Sequence, residues 1–169
     1  SFSAFGPTDD GRIKPDVVAS GLDVYSSIAS SFSSYGFYNG TSMAAASVTG
    51  STALLHQLQD ELLPGVVMHS STLKGLLIHT AEEMGISPGP DYQFGWGLLN
   101  IKEAADLVQL NVGNGGKNIR EGIILDGESL IIPVQTGSVV SDLKITLCWT
   151  DPPGISTDPV LNSRESKLV

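Results

Sequence analysis

The chain has 169 residues, 41% of them hydrophobic and 16% charged, a composition that belongs to globular proteins and excludes disordered ones. A formal net charge of −9 without any run of Lys or Arg argues against nucleic acid and membrane surfaces as partners. The single cysteine, Cys148, can form no intrachain disulfide and fits a reducing or an oxidising compartment equally.

Ser1-Phe2-Ser3 reads as the interior of a strand or loop and no signal peptide opens the chain, so the natural N-terminus is expected upstream. From Ser1 to Asn39, loops rich in Ser, Gly and Asp enclose short apolar runs, Asp16–Ala19 and Asp23–Tyr25, predicted as short strands. The turn Asn39-Gly40-Thr41-Ser42 leads into an uncharged run, Met43 to Gln59, with small residues at Ala44, Ala45, Ala46, Ser47 and Gly50. It is too short to cross a bilayer comfortably and predicts a helix buried on all sides at a domain centre. A second helix is predicted from Ser71 to Met84, where Leu73, Leu76, Leu77, Thr80, Ala81 and Met84 form a stripe and Gly85 supplies the stop. A third opens with Asn100 as N-cap and Glu103 three residues on, a capping box, and is expected to end near Leu110.

Asn111 to Gly116 changes the texture of the chain and is read as a linker between residues 1–110 and 117–169. Beyond it, Ile123–Leu125, the turn Asp126-Gly127, Leu130–Ile132, and the alternation of Leu143, Ile145, Leu147 and Trp149 with Lys144, Thr146, Cys148 and Thr150 predict antiparallel strands. Three or four strands are visible where a β-sandwich uses about seven. The polar stretch Ser156–Lys167 and the apolar Leu168-Val169 extend the expectation of a partial sandwich, cut short. Cys148 falls on the face opposite the apolar one and is read as an inert strand residue.

A serine hydroxyl is a weak nucleophile that needs a base beside it and a site for the oxyanion that its attack creates. At the first turn of a long helix the backbone N–H groups have no intrahelical partner and the macrodipole is positive, so the N–H of Ser42 is placed to stabilise such an oxyanion. Gly40 permits a sharp turn and close approach of substrate backbone. Taken alone, Gly-Thr-Ser reads as an ordinary helix cap.

The wider run Gly40-Thr41-Ser42-Met43-Ala44-Ala45-Ala46-Ser47-Val48-Thr49-Gly50 resembles the nucleophile motif of the subtilisin-like serine proteases. Phe2–Pro7, Lys14–Ala19 and Tyr38–Gly40 resemble flanking segments of that family, and Phe94–Asn100 its approach to the last helix of the catalytic domain. The resemblance covers Ser1 to about Leu110. Ala46 stands where the family usually has proline, Ser47 where it often has histidine, and Ser20 replaces another usual proline; none of these removes a catalytic group. Trp149–Gly154 weakly resembles a strand-to-turn segment of the β-sandwich that follows the catalytic domain in some relatives.

The resemblance implies an α/β fold: the C-terminal portion of a doubly wound subtilisin-like domain followed by a partial antiparallel β-sandwich. It implies peptide-bond hydrolysis through an acyl-enzyme on Ser42, with the Asp, the His and the oxyanion Asn supplied from upstream, and an extracellular or periplasmic location. Tyr38, Asn39 and Gly40 would then touch substrate main chain on the leaving-group side, against a plain reading as turn residues. His56, His69 and His79 all follow Ser42, and His56 lies about 21 Å along the predicted helix at 1.5 Å per residue, so none serves as the base. Loss of the histidine of such a triad costs about 10⁶ in turnover, and the chain by itself is expected to be inactive. Asp9, Asp10, Asp16 and Asp23 lack calcium-loop spacing and read as surface charge; no metal or cofactor is assigned, although calcium is bound by many relatives. The partner is a protein or peptide substrate, and a sheet edge left open invites self-association or association with the upstream half. A pseudoprotease or peptide-binding module of the same fold is the alternative reading.

Overall fold

A computed structural model of the chain describes residues 2–86, 88–134 and 143–150. Most of the expected turn Trp149–Gly154, the polar stretch Ser156–Lys167 and the terminal Leu168-Val169 lie outside the described residues. Two short strands, β1 (Val24–Ser27) and β2 (Tyr35–Tyr38), pair antiparallel with Tyr25 opposite Phe37 and Val24 opposite Tyr38. Three helices follow: α1 (Thr41–Leu62), α2 (Ser70–Thr80) and α3 (Ile101–Gly113).

The core is helical. Leu55 from α1, Met68 before α2, Leu76 and Leu77 from α2, and Ala104 and Val108 from α3 are buried together. Val48, Leu58, Leu62, Leu73, Leu99 and Ile101 pack around them. The spacing of Leu76, Leu77 and Thr80, and of Ala104 and Val108, places each set on one helical face, which is why α3 packs on both α1 and α2. Asn100 caps α3 as predicted, its Oδ1 accepting from the Glu103 N–H at 3.0 Å.

A second, backbone-only layer joins the front of the chain to the start of α3. Val18 forms a parallel bridge with Leu98, and Leu98 an antiparallel one with Glu82. The Val18 N–H donates to Gly97 O (2.9 Å), the Leu99 N–H to Val18 O (2.8 Å), and Glu82 and Leu98 exchange both bonds at 2.8 Å. Gly95 and Gly97 make this possible. A Cβ on Gly95 would lie 2.0 Å from Pro15 O and one on Gly97 2.1 Å from Glu82 O, and both residues have positive φ (62° and 120°).

Three hydroxyl-bearing residues of α1 turn inward on their own helix. Ser47 Oγ donates to Met43 O at 3.0 Å, Thr49 Oγ1 to Ala45 O at 2.9 Å and Thr52 Oγ1 to Thr49 O at 2.7 Å, the back-bonding pattern of Ser and Thr inside helices.

Several expectations are corrected. α1 is not buried on all sides: only Leu55 and Gln59 are buried in it, and Ala45, Ala46 and Ser47 are exposed, because among the described residues packing reaches only the face turned toward α3 and the core. α2 ends at Thr80 rather than Met84. Ala81 leaves the helical region with ψ 138°, and Glu82 commits its backbone to the ladder with Leu98, so the chain turns out of the helix before Gly85. α3 runs through Asn111–Gly113, part of the expected linker. It stops where Gly115 and Gly116 take positive φ (75° and 80°) and where Gly115 N–H and Gly116 N–H bond back to Val112 O and Asn111 O.

Residues 117–134 and 143–150 contain no strand. The alternation at 143–149 is real, but its polar face is the one that packs. Lys144 Nζ donates to His79 O, Thr146 Oγ1 lies 2.9 Å from His79 Nδ1, and Cys148 sits against Gly75, where an added Cβ would lie 3.2 Å from its own. Leu143, Ile145, Leu147 and Trp149 face outward. A strand requires a hydrogen-bonding neighbour, and this segment has a helix beside it instead.

Candidate functional site

The turn before α1 is built from two segments. β2 ends at Tyr38, paired with Val24, and delivers Asn39 and Gly40 to the N-cap of α1. Asn39 Oδ1 accepts the backbone N–H of Asp23, and the Gly40 N–H donates to Gly21 O at 2.8 Å. Gly40 has φ 155° and ψ 161°, a region closed to residues with a Cβ. Its carbonyl then accepts from the N–H groups of Met43 (3.1 Å) and Ala44 (3.4 Å) and so begins the helix.

Ser42 is thereby held in the first turn of a 22-residue helix, exposed to solvent. No side chain caps this end and no acidic residue lies in its first turn. With Met43 and Ala44 bonded to Gly40 O, the N–H groups of Thr41 and Ser42 and the positive end of the macrodipole lie at this uncapped end. The structure brings Tyr38, Asn39, Gly40 and Ser42 together as consecutive features of one exposed turn, with Tyr38 55% exposed.

The histidines lie elsewhere. His56 is on α1, nearly four turns beyond Ser42 and about 21 Å away. His69 stands at the N-cap of α2, its Nε2 3.7 Å from Glu121 Oε2. His79 bonds Thr146, and partial burial together with the nearby Lys144 cation holds its imidazole below the ordinary value. Two of the four carboxylates considered for calcium, those of Asp10 and Asp16, have protein partners. Asp10 takes hydrogen bonds from Thr8 and Arg12. Asp16 lies between Lys14 and Lys74, the latter at 3.2 Å; burial pushes its carboxyl up, but the two lysines outweigh that and leave it below the usual range. No group of three or more His, Cys, Asp or Glu side chains suited to a metal occurs among the described residues. A cavity of about 490 Å³ between α2 and α3, lined by His79, Glu82, Asn100, Glu103, Asp106 and Lys144 among others, includes no residue of the turn before α1.

Sequence reasoning missed Gly21 and Asp23. Each bonds the turn from sixteen or more positions earlier, and the available signal was weak: a glycine two residues before an aspartate, both residue types that tolerate unusual backbone.

Comparison with known proteins bears on this turn directly. The subtilase family profile matches residues 1–97, which include it. The chain is 29% identical over 200 residues to the serine protease/ABC transporter B family protein tagA of Dictyostelium discoideum, an alignment covering 99% of the chain and 11% of that protein. It is 32% identical over 113 residues to pyrolysin of Pyrococcus furiosus, covering 64% of the chain and 8% of pyrolysin. Among solved structures, the CspB protease of Clostridium perfringens matches with a TM-score of 0.51 at 27% identity, over 59% of the chain and 21% of that protein. The chain therefore spans about a tenth of the length of these two sequence relatives, and its mixed helices and strands are those of an α/β fold. With more than half of its residues matched by one family profile, the chain belongs to the subtilase family.

Proposed function

We propose that the protein carrying this chain is a subtilisin-like serine endopeptidase and that Ser42 is its nucleophile. The observation that carries the reading is the setting of Ser42: an exposed serine in the first turn of a long helix, within the run Gly40-Thr41-Ser42-Met43-Ala44, in a chain of the subtilase family. The Ser42 hydroxyl attacks the scissile carbonyl, giving a tetrahedral intermediate. Its oxyanion accepts the Ser42 N–H, reinforced by the helix dipole. Tyr38, Asn39 and Gly40 line the leaving-group side. The base, its carboxylate partner and the asparagine donor of the oxyanion hole come from other parts of the full-length protein, so this chain alone does not hydrolyse peptides. That two of the similar proteins are themselves called proteases supports the class of reaction.

The domain in this reading is the C-terminal portion of a doubly wound subtilisin-like fold, acting on protein or peptide substrates outside the cell or in the periplasm. No helix among the described residues is long and apolar enough to cross a membrane. β1 and β2 pair with no further strand among the described residues, and an open edge of this kind favours association with the upstream half or a second copy. A monodisperse monomer of the isolated chain in light scattering would speak against self-association.

The central test treats the full-length protein and the isolated chain with a fluorophosphonate probe and locates the adduct by peptide mass spectrometry. Modification at Ser42 in the full-length protein alone is the expected result. No modification in either makes a peptide-binding pseudoprotease the better account, and modification of the isolated chain would reveal a base within these residues.

A further inference from the structure

We propose that Asp23 and Gly21 are positioning residues for the nucleophile turn, an inference that rests on the assignment of Ser42 above and extends it to the segment that holds it. Asp23 is the one non-glycine residue with positive φ among the described residues, at 50°, a conformation uncommon outside glycine and least so for Asp and Asn. That conformation directs its N–H to the side-chain carbonyl of Asn39. Two residues earlier, Gly21 O accepts the Gly40 N–H at 2.8 Å. Gly21 also lies flat against the start of α1: a Cβ there would stand 2.5 Å from Gly40 O and 3.3 Å from the Cβ of Ala44. Gly40 O in turn receives the first helical N–H groups, those of Met43 and Ala44. The direction in which Ser42 presents its hydroxyl and N–H is therefore set by an arch at residues 21–23 that touches neither.

The same two bonds restrain a reactive pair. In an Asn-Gly sequence the glycine amide nitrogen attacks the asparagine side-chain carbonyl carbon, forms a new C–N bond and expels ammonia; water then opens the succinimide to aspartate or isoaspartate. Here the attacking N–H is engaged by Gly21 and the carbonyl by Asp23, so attack requires the turn to open. Deamidation at Asn39 thus reports on the clamp independently of any hydrolytic activity.

The experiment uses the full-length protein with Asp23→Val, which disfavours positive φ, Asp23→Gly and Asp23→Asn, which accept it, and Gly21→Ala, which intrudes on Gly40. Fluorophosphonate labelling rate at Ser42, conversion of Asn39 to acid by peptide mass spectrometry, and thermal unfolding are followed together. Asp23→Val and Gly21→Ala are expected to slow labelling by about tenfold or more and to speed deamidation severalfold, while Asp23→Gly and Asp23→Asn stay near the parent in both. Identical behaviour of Asp23→Val and Asp23→Gly would overturn the proposal. Should Asp23→Val fail to fold, the parent decides: Asn39 is expected to deamidate at least severalfold more slowly in native than in urea-unfolded protein, and equal rates would overturn the clamp. Absence of labelling in the parent would instead remove the protease reading, with the deamidation rates still deciding the clamp.

Discussion

The two ends of α1 are held by different physics. Toward its C-terminal end, Leu55 and Gln59 are buried and Leu58 and Leu62 pack against the helical core, so position is fixed by non-directional burial of apolar surface. At its N-terminal end almost nothing is buried, and the turn is fixed by directional bonds from Gly21 and Asp23 and by the missing side chains of Gly21 and Gly40. Burial gives stability without fine aim; hydrogen bonds and close backbone approach give aim with little stability. A site that must hold an exposed hydroxyl in one direction is suited to the second kind of support.

The comparison breaks most sharply at Ser42. In the full-length protein Ser42→Ala is expected to lower peptide hydrolysis by about 10⁶ while leaving thermal unfolding unchanged, since the side chain is exposed. At the opposite end Leu55→Ala should cost about 2–5 kcal/mol of stability, read by denaturant unfolding. Because the two ends are separately supported, the labelling rate at Ser42 under native conditions should change far less than that figure would suggest. Asn100→Ala removes the one side-chain cap seen on α3 and should cost about 1 kcal/mol, again without effect on labelling.

The smallest effects are in pH. His79 in the folded chain sits below its ordinary value of 6.5 because of burial and Lys144, so the unfolded form takes up a proton first as the pH falls. Stability from this group is present above 6.5 and is lost as the pH drops through the lower folded value. Asp16 behaves alike further down: despite its burial, Lys14 and Lys74 hold it below 3.8, so its contribution is present above that pH and disappears as the folded carboxyl is protonated. Melting temperatures against pH should show both limbs. His79→Asn should erase the upper one, and Lys74→Ala should weaken the lower one.

What could be read from the sequence was local. The turn at Gly40, the start of α1, and the capping pair Asn100 and Glu103 each announce themselves within a few residues. What escaped depends on partners far along the chain. The burial expected for Ala45, Ala46 and Ser47 followed from composition, which tells what a face tolerates but not what lies against it. Glu121, whose Oε1 accepts the His69 N–H at 3.1 Å and bonds the Thr72 hydroxyl, serves the start of α2 from some fifty positions away, and no periodicity signals that. Likewise the alternation at 143–149 identified two faces correctly but could not say that the polar one would meet a helix.

The inward-turned hydroxyls of α1 alter how that helix should be regarded as a solute. Hydropathy values charge each serine and threonine with a proton torn from water on transfer to an apolar medium. In Ser47, Thr49 and Thr52 that proton already rests on a carbonyl of the same helix, so little solvation remains to be stripped away. In desolvation terms these three positions are closer to alanine than their letters suggest, able to pass from water into a packed interior without orphaning a hydroxyl donor.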